Sequence, residues 1–268
     1  MSSNNFPKGS EWRKWDMHIH TPCSIVQDYG GNQPEVWEKF IADLEALPDE
    51  FKVIGINDYI FLDGYRKVLE FREKGRLKNI DLILPVIELR LDKFASLGSD
   101  DPWKKVNFHI IFSNELSADI IDTHFLKAVQ HCIKIDNHEG EDDFKEIVTV
   151  QTLETLGKKI KETSTKRINE SDLFVGFANL TYNFDEIFKI LQATTFKDKY
   201  LTAVGKSEWD TLRWDGSAAS KKKVINKADF VFTALEKPDN YQHQKNKLTE
   251  QKVNDKLLDC SDAHKFSD

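Results

Sequence analysis

Eight short runs rich in Val, Ile, Leu and Phe punctuate the chain: Lys14–Ile19, Lys52–Ile56, Asp81–Leu89, Val106–Phe112, Leu173–Ala178, Tyr200–Val204, Asp229–Ala234 and Lys256–Cys260. Runs that stay apolar on both alternating faces have the pattern of strands buried in a parallel sheet. Longer amphipathic stretches lie between them, and the spacing predicts helices over Pro34–Ala46, Gly64–Lys74, Ala118–Lys134, Val150–Thr163, Asn183–Ala193 and Ser217–Asn226. Strand–helix alternation at this pace predicts an α/β fold built on a parallel sheet or barrel. The polar segment Asp136–Lys145 reads as a solvated loop on that fold.

Composition narrows the class. The chain has 268 residues, 40% apolar and 31% charged, which suits one large globular domain or two small ones and argues against disorder. No stretch has the length of uncharged apolar residues that a membrane span needs, and the polar opening residues lack the hydrophobic segment of a secretory signal. Cys23, Cys132 and Cys260 are odd in number and far apart, so neither a disulfide scaffold nor a thiolate metal knuckle is expected, and a reducing cytoplasm is the default. A net charge of −7, from 38 basic and 45 acidic residues, disfavours general coating of nucleic acid while leaving room for a local basic groove.

Candidate chemistry gathers where the strands end. The first run closes in His18-Ile-His20, the second leads into Asn57-Asp58, the third holds Glu88 and the fourth His109. The fifth runs into Asn179, the sixth into Lys206 and Glu208, and the last into Asp262-Ala-His264. In a parallel barrel the carboxyl ends of the strands form the rim on which active sites are assembled. A core alone gives no reason to end nearly every strand in a ligand-type residue. His18 and His20, two apart on a strand, share a face, and Asp16 on the same face could orient an imidazole. Imidazoles and carboxylates without thiolates suit Zn, Mn or Fe, and a carboxylate such as Glu88 can bridge two ions. Each short pattern is common by itself; their convergence is what points to a metal centre.

Taken in order, Trp15-Asp-Met-His-Ile-His-Thr-Pro22, Gly55-Ile-Asn-Asp58, Pro85-Val-Ile-Glu88, His109 and Ser261-Asp-Ala-His264 resemble the motifs of the PHP (polymerase and histidinol phosphatase) superfamily. The likeness runs from about Trp12 to the end of the chain. With Lys8-Gly-Ser-Glu-Trp-Arg-Lys-Trp15, Lys206-Ser-Glu-Trp209 and Asp229-Phe-Val-Phe232, it is similar to the N-terminal PHP module of TrlF-type AAA/SMC-like ATPases. The resemblance implies a distorted seven-stranded (β/α) TIM-like barrel over residues 12–268, preceded by a tail at 1–11, with metal ions at the carboxyl rim hydrolysing phosphoesters. His18, His20, Glu88 and Asp262 would hold one ion, and Glu88 with His109 a second, completed by Asn179 where the family usually has histidine. Of a third site only His264 remains, because Tyr59 stands where a histidine is expected and none lies between His20 and His109. Two ions are therefore expected, Zn, Mn or Fe, leaving Asp58 and His264 for proton transfer or water orientation and Arg90 and Lys206 to clamp phosphate.

The resulting expectation is a cytoplasmic metal-dependent phosphoesterase, with a nucleic-acid phosphodiester favoured over a small phosphate monoester because of the implied ATPase partner. The alternative from another class is a degenerate barrel that binds or regulates without catalysis, suggested by Tyr59 and Asn179. Because the chain stops four residues after His264, a domain continued elsewhere or completed by a partner is also expected.

Overall fold

The computed structural model of the protein describes residues 13–94, 105–130, 133–137, 140–143, 145–164, 167–205, 218–234 and 238–268. Seven strands form a nearly closed barrel in the order β1 (Lys14–Ile19), β2 (Phe51–Asn57), β3 (Leu82–Phe94), β4 (Lys105–Phe112), β8 (Tyr200–Val204), β9 (Phe230–Thr233) and β10 (Leu257–Asp259). A parallel bridge from Ile19 to Ala263 brings the last strand's continuation back to the first. The expected α/β barrel-like sheet is therefore present. It departs from an all-parallel sheet at one strand: β4 runs antiparallel to both β3 and β8. Only residues 95–104 separate β3 from β4, fewer than a parallel crossover needs, so the chain returns beside itself.

Alternation along the strands divides two cores. Met17, Val53, Leu84, Val86, Ile111, Ala203, Phe232 and Cys260 fill the barrel interior. The opposite faces of the same strands join the outer helices in a larger cluster that includes Ile54, Ile83, Ile87, Phe108, Ile110 and Val231. Burial on both faces is why these strands read as continuous apolar runs. Helices α1 (Pro34–Glu45) and α2 (Asp63–Glu73) cover the first strands, while α7 (Phe184–Leu191) and α8 (Ala218–Lys227) follow later ones. In α1, Trp37, Phe40, Ile41 and Leu44 form the buried stripe at helical spacing.

Four segments differ from the sequence expectation. Leu173–Ala178, read as a strand, lies within a helix, α6 (Asp172–Ala178), because Ser171 caps it by accepting the Phe174 N–H at 3.1 Å. The run is apolar on all sides since α6 presses against α5 (Val150–Thr163): a Cβ on Gly157 would fall 1.8 Å from the Asp172 carbonyl, and one on Gly176 would fall 2.0 Å from that of Leu153. The helix expected to reach Lys134 is α3 (Ala118–Ile121), a π-helical segment (Asp122–Leu126) and α4 (Lys127–Val129). Beyond it, β5 (Ile133–Asn137) and β6 (Gly140–Asp143) make a hairpin in place of the expected loop; the acidic residues that suggested solvent belong to an edge strand. That hairpin joins β7 (Leu180–Tyr182), and the extended end of β3 joins it through Leu91 and Tyr182. Finally, α9 (Pro238–Glu250) has so polar a sequence that it gave no helical signal; it is held by fully buried Leu248 and by the Tyr241 hydroxyl donating to the Leu257 carbonyl at 3.1 Å.

Candidate metal centre

The centre forms at one mouth of the barrel, and an irregularity in β1 aims its first ligands. Between Asp16 and Ile19 the strand advances three residues while β2 advances two, from Ile54 to Ile56. The extra residue is a bulge, a device that redirects side chains. It lets Met17 pack in the barrel interior while the adjacent His18 reaches Glu88 on the same side, which regular alternation forbids. Glu88 on β3 stands directly opposite His109 on antiparallel β4. The reversal of β4 thus delivers an imidazole to the rim from the middle of a strand.

The donor atoms lie close together. The Nε2 atoms of His18 and His20 are 3.1 Å apart. Glu88 Oε2 lies 3.4 Å from both His18 Nε2 and His109 Nε2. Asp262 Oδ1 lies 3.0 Å from His18 Nε2, 3.8 Å from His20 Nε2 and 3.6 Å from His264 Nε2. Two overlapping sets follow, His18–His20–Glu88 and His20–Asp262–His264, each with its donor atoms within 4.8 Å of one another. His109 extends the first set through Glu88. Among the described residues, then, the structure brings together His18, His20, Glu88, His109, Asp262 and His264.

These residues fit a cation. His109 is fully buried, yet neither ring nitrogen has a hydrogen-bond partner among the described residues, and His18 Nδ1 is equally without one. Such groups are costly unless something else satisfies them. His264 Nδ1 lies 3.0 Å from the Val26 carbonyl, which can only accept, so Nδ1 carries the proton. In the neutral ring Nε2 then turns a lone pair toward Asp262 Oδ1, and a cation between the two resolves that opposition. Burial, with His18 nearby, holds the His20 pKa well below the usual imidazole range and so keeps it in the ligating form. Burial alone would raise the Glu88 carboxyl, but the adjacent imidazoles of His109 and His18 outweigh it and hold Glu88 well below the carboxylate range.

Supporting contacts set the orientations. The Asn57 amide donates to Glu88 Oε2 at 2.8 Å, and His20 Nδ1 meets Ser24 Oγ at 3.1 Å. Asp58 is buried and committed: Oδ1 accepts the Thr21 N–H at 2.8 Å, and Oδ2 accepts the Thr21 hydroxyl at 2.6 Å. Burial raises its pKa to about 6. Through these bonds Asp58 fastens the turn after His20 to the end of β2. A Cβ on Gly64 would fall 1.8 Å from Asp58 Oδ2, so only glycine lets α2 start so close. Asp16 differs from its expected part. Its Oδ1 accepts the backbone N–H groups of His18 and Ser261, both at 3.2 Å, and so joins β1 to the end of β10 instead of orienting an imidazole. Tyr59 and Asp262 adopt left-handed backbone angles, φ 59° and 53°, a strain that concentrates at functional sites.

The remaining candidates divide. Arg90, two residues beyond Glu88 on the same strand face, has its guanidinium 4.5 Å from the Phe177 ring centre and 5.9 Å from that of Phe174. Its buried Nε has no hydrogen-bond partner among the described residues. Asn179 closes α6, and its amide donates to the Val175 carbonyl at 2.8 Å, turning toward its own helix. The Tyr59 ring lies tilted against His20 and Phe177, its centre 4.7 Å from each, an aromatic wall where the resemblance led one to expect a ligand. Lys206 and residues 1–11 lie outside the described residues. Sequence reasoning missed the positioning roles of Thr21, Ser24 and Asn57; Thr21 and Asn57 lie inside the quoted motifs, which was their available signal. Phe177 gave none, because its segment was read as a strand. Among the described residues, no helix is long and apolar enough to cross a membrane. Compared with models of known protein families and with curated proteins, the chain matches none.

Proposed function

We propose that this chain is a metal-dependent phosphoesterase of the PHP type, acting on a nucleic-acid phosphodiester in company with an ATPase module. The observation that supports it is the convergence of four imidazoles and two carboxylates at one mouth of a barrel, with buried nitrogens on His18 and His109 that have no hydrogen-bond partner among the described residues. His18, His20, Glu88 and Asp262 would hold one ion of Zn, Mn or Fe; Glu88 with His109, or Asp262 with His264, would share a second. Such ions, when bound, make water a strong nucleophile at neutral pH and neutralise charge developing on a phosphoryl group.

The chain's own residues do the rest. Arg90, its guanidinium stacked on Phe177, offers its N–H groups to phosphate oxygens beside Glu88. His264 is 26% exposed, the most open of these imidazoles, and its Nδ1 bond to Val26 fixes Nε2 inward, where its lone pair, when it holds no ion, can orient a water and accept its proton. Asn57 and Ser24 hold Glu88 and His20 in their ligating orientations. The phosphodiester preference comes from the resemblance to ATPase-linked modules.

Metal content per chain, measured with turnover of an oligonucleotide and of a generic phosphate monoester, tests the proposal. About two equivalents of Zn, Mn or Fe and oligonucleotide cleavage are expected, with Asp262→Asn abolishing cleavage while thermal unfolding stays near wild type. No stoichiometric metal after supplying Zn or Mn refutes the metal centre. The Asn179 amide bonded to its own helix and the Tyr59 ring on His20 favour a second reading, a binding module without catalysis. Full metal content with no hydrolysis of either substrate selects it, and monoester cleavage alone selects a small-molecule phosphatase.

A further inference from the structure

Tyr29 lies on the loop between β1 and α1 and is buried. Its hydroxyl donates to the His20 carbonyl at 2.9 Å and lies 3.3 Å from the Ala263 carbonyl, so one proton is shared between two acceptors. The first carbonyl belongs to a candidate ligand. The second belongs to the residue between two others, Asp262 and His264. The His20 N–H also donates to the Ala263 carbonyl, at 3.0 Å, so the phenol closes over the point where the first and last motifs of the chain meet. Beside it Asp262 holds a left-handed backbone, φ 53°, which persists only where the surroundings fix it.

The rest of the loop grips His264. The Asp28 N–H donates to the His264 carbonyl at 2.7 Å, and His264 Nδ1 donates to the Val26 carbonyl at 3.0 Å. The His20 and His264 rings stack with centres 4.0 Å apart and planes 15° from parallel, which brings both Nε2 atoms toward Asp262 Oδ1. Phe40 of α1 and Phe266 meet the Tyr29 ring edge-on, at 5.4 Å and 5.0 Å between centres. Helix α1 therefore braces the tyrosine, and the tyrosine braces the backbone of both imidazoles. Partners of this kind set the orientation of ligands and so their affinity for an ion. We infer that Tyr29 is a positioning residue for the His20–Asp262–His264 set, its hydroxyl fixing the spacing of the His20 and His264 backbones at which the two imidazoles can share one cation. This role depends on the metal centre proposed above.

Zinc affinity of the full chain, measured by competition with a chelating dye, tests it in wild type, Tyr29→Phe, His264→Ala and the double variant. Tyr29→Phe keeps the ring and its packing, and should keep the wild-type far-UV circular dichroism. It should weaken one zinc-binding step about threefold to tenfold, the worth of one hydrogen bond. In the His264→Ala background the same change should make less than about a twofold difference, because the spacing it fixes no longer serves a ligand pair. Wild type that holds no zinc refutes the metal centre itself, and this role with it. Zinc held equally well by wild type and Tyr29→Phe overturns the role of Tyr29 alone. So does an equal loss in both backgrounds, or loss of the fold in Tyr29→Phe, since the hydroxyl then serves the barrel and not the two imidazoles.

Discussion

Thr21→Val tests whether the Thr21–Asp58 contact holds the turn after His20. Valine matches threonine in shape, so the change removes a hydroxyl without opening a void. Two hydrogen bonds go with it: the 2.6 Å donation to Asp58 Oδ2 and the 3.0 Å acceptance from the Cys23 N–H. A buried bond to an ionised carboxylate contributes about 1.5–3 kcal/mol, and the Cys23 donor about 1 more. The sum, about 3 kcal/mol, should lower Tm by roughly 6–12 °C in a chain of this size. The pH dependence follows from Asp58, whose carboxyl titrates near 3.8 unfolded and about 6 folded. Folding therefore takes up a proton between those values, so this group favours the folded state in acid and loses that contribution as pH rises through 6. Removing Thr21's bonds penalises the ionised form further. The gap between wild type and variant should be widest at pH 8 and narrow at pH 5, where both carry the neutral acid. Circular-dichroism melts of metal-free protein at the two pH values measure it. A gap under 2 °C at pH 8, or one equal at both, refutes the reasoning.

Three further outcomes are expected. Gly176→Ala drives a methyl into the Leu153 carbonyl, which backbone cannot yield, and should cost about 1–3 kcal/mol; an unchanged melt would deny the close α5–α6 crossing. Asn57→Ala frees Glu88 to rotate and should weaken metal binding about tenfold to a hundredfold against a chelating dye, measured where the variant is fully folded; unchanged affinity would remove Asn57 from the centre's support. Glu45 accepts from Arg76 and from the Leu77 N–H, contacts that hold its carboxyl below the ordinary range. That stabilisation is present above the ordinary glutamate pKa and is lost on acidification, so Glu45→Gln should cost up to about 1 kcal/mol at pH 7 and little near pH 3. A deficit that persists in acid would contradict the assignment.

His18, His20, Asp262 and His264 were legible because they lie at or near the ends of strands, where a chain that buries both faces of a sheet still has to place its polar residues; Glu88 and His109 stood out as lone polar residues within apolar runs. What sequence could not show was how they meet. His18 and His20 were expected to share a face by simple alternation, yet a bulge aims His18, and bulges leave no mark in apolar periodicity. His109 was expected on a strand running with its neighbours, but a linker too short for a crossover reverses β4 and sets it opposite Glu88. Leu173–Ala178 has an apolar pattern that serves a buried helix as well as a strand; only the Ser171 cap and the Gly157–Gly176 crossing decide it.

That last misreading bears on the chemistry. As a strand, Leu173–Ala178 would have ended in a ligand at Asn179. As a helix it turns Asn179 onto Val175 and instead brings Phe177 against both Tyr59 and Arg90. Tyr59 and Phe177 pack against each other beside His20, and Phe177 also lies under the guanidinium of Arg90, two residues beyond Glu88. A centre with fewer imidazole ligands but a pre-positioned cation suits an anionic substrate held by side chains as much as by metal. Phe177→Ala should therefore raise KM for a phosphoester more than it lowers kcat, while leaving metal content unchanged. Loss of metal in that variant would show instead that the aromatic wall shapes the ligands themselves.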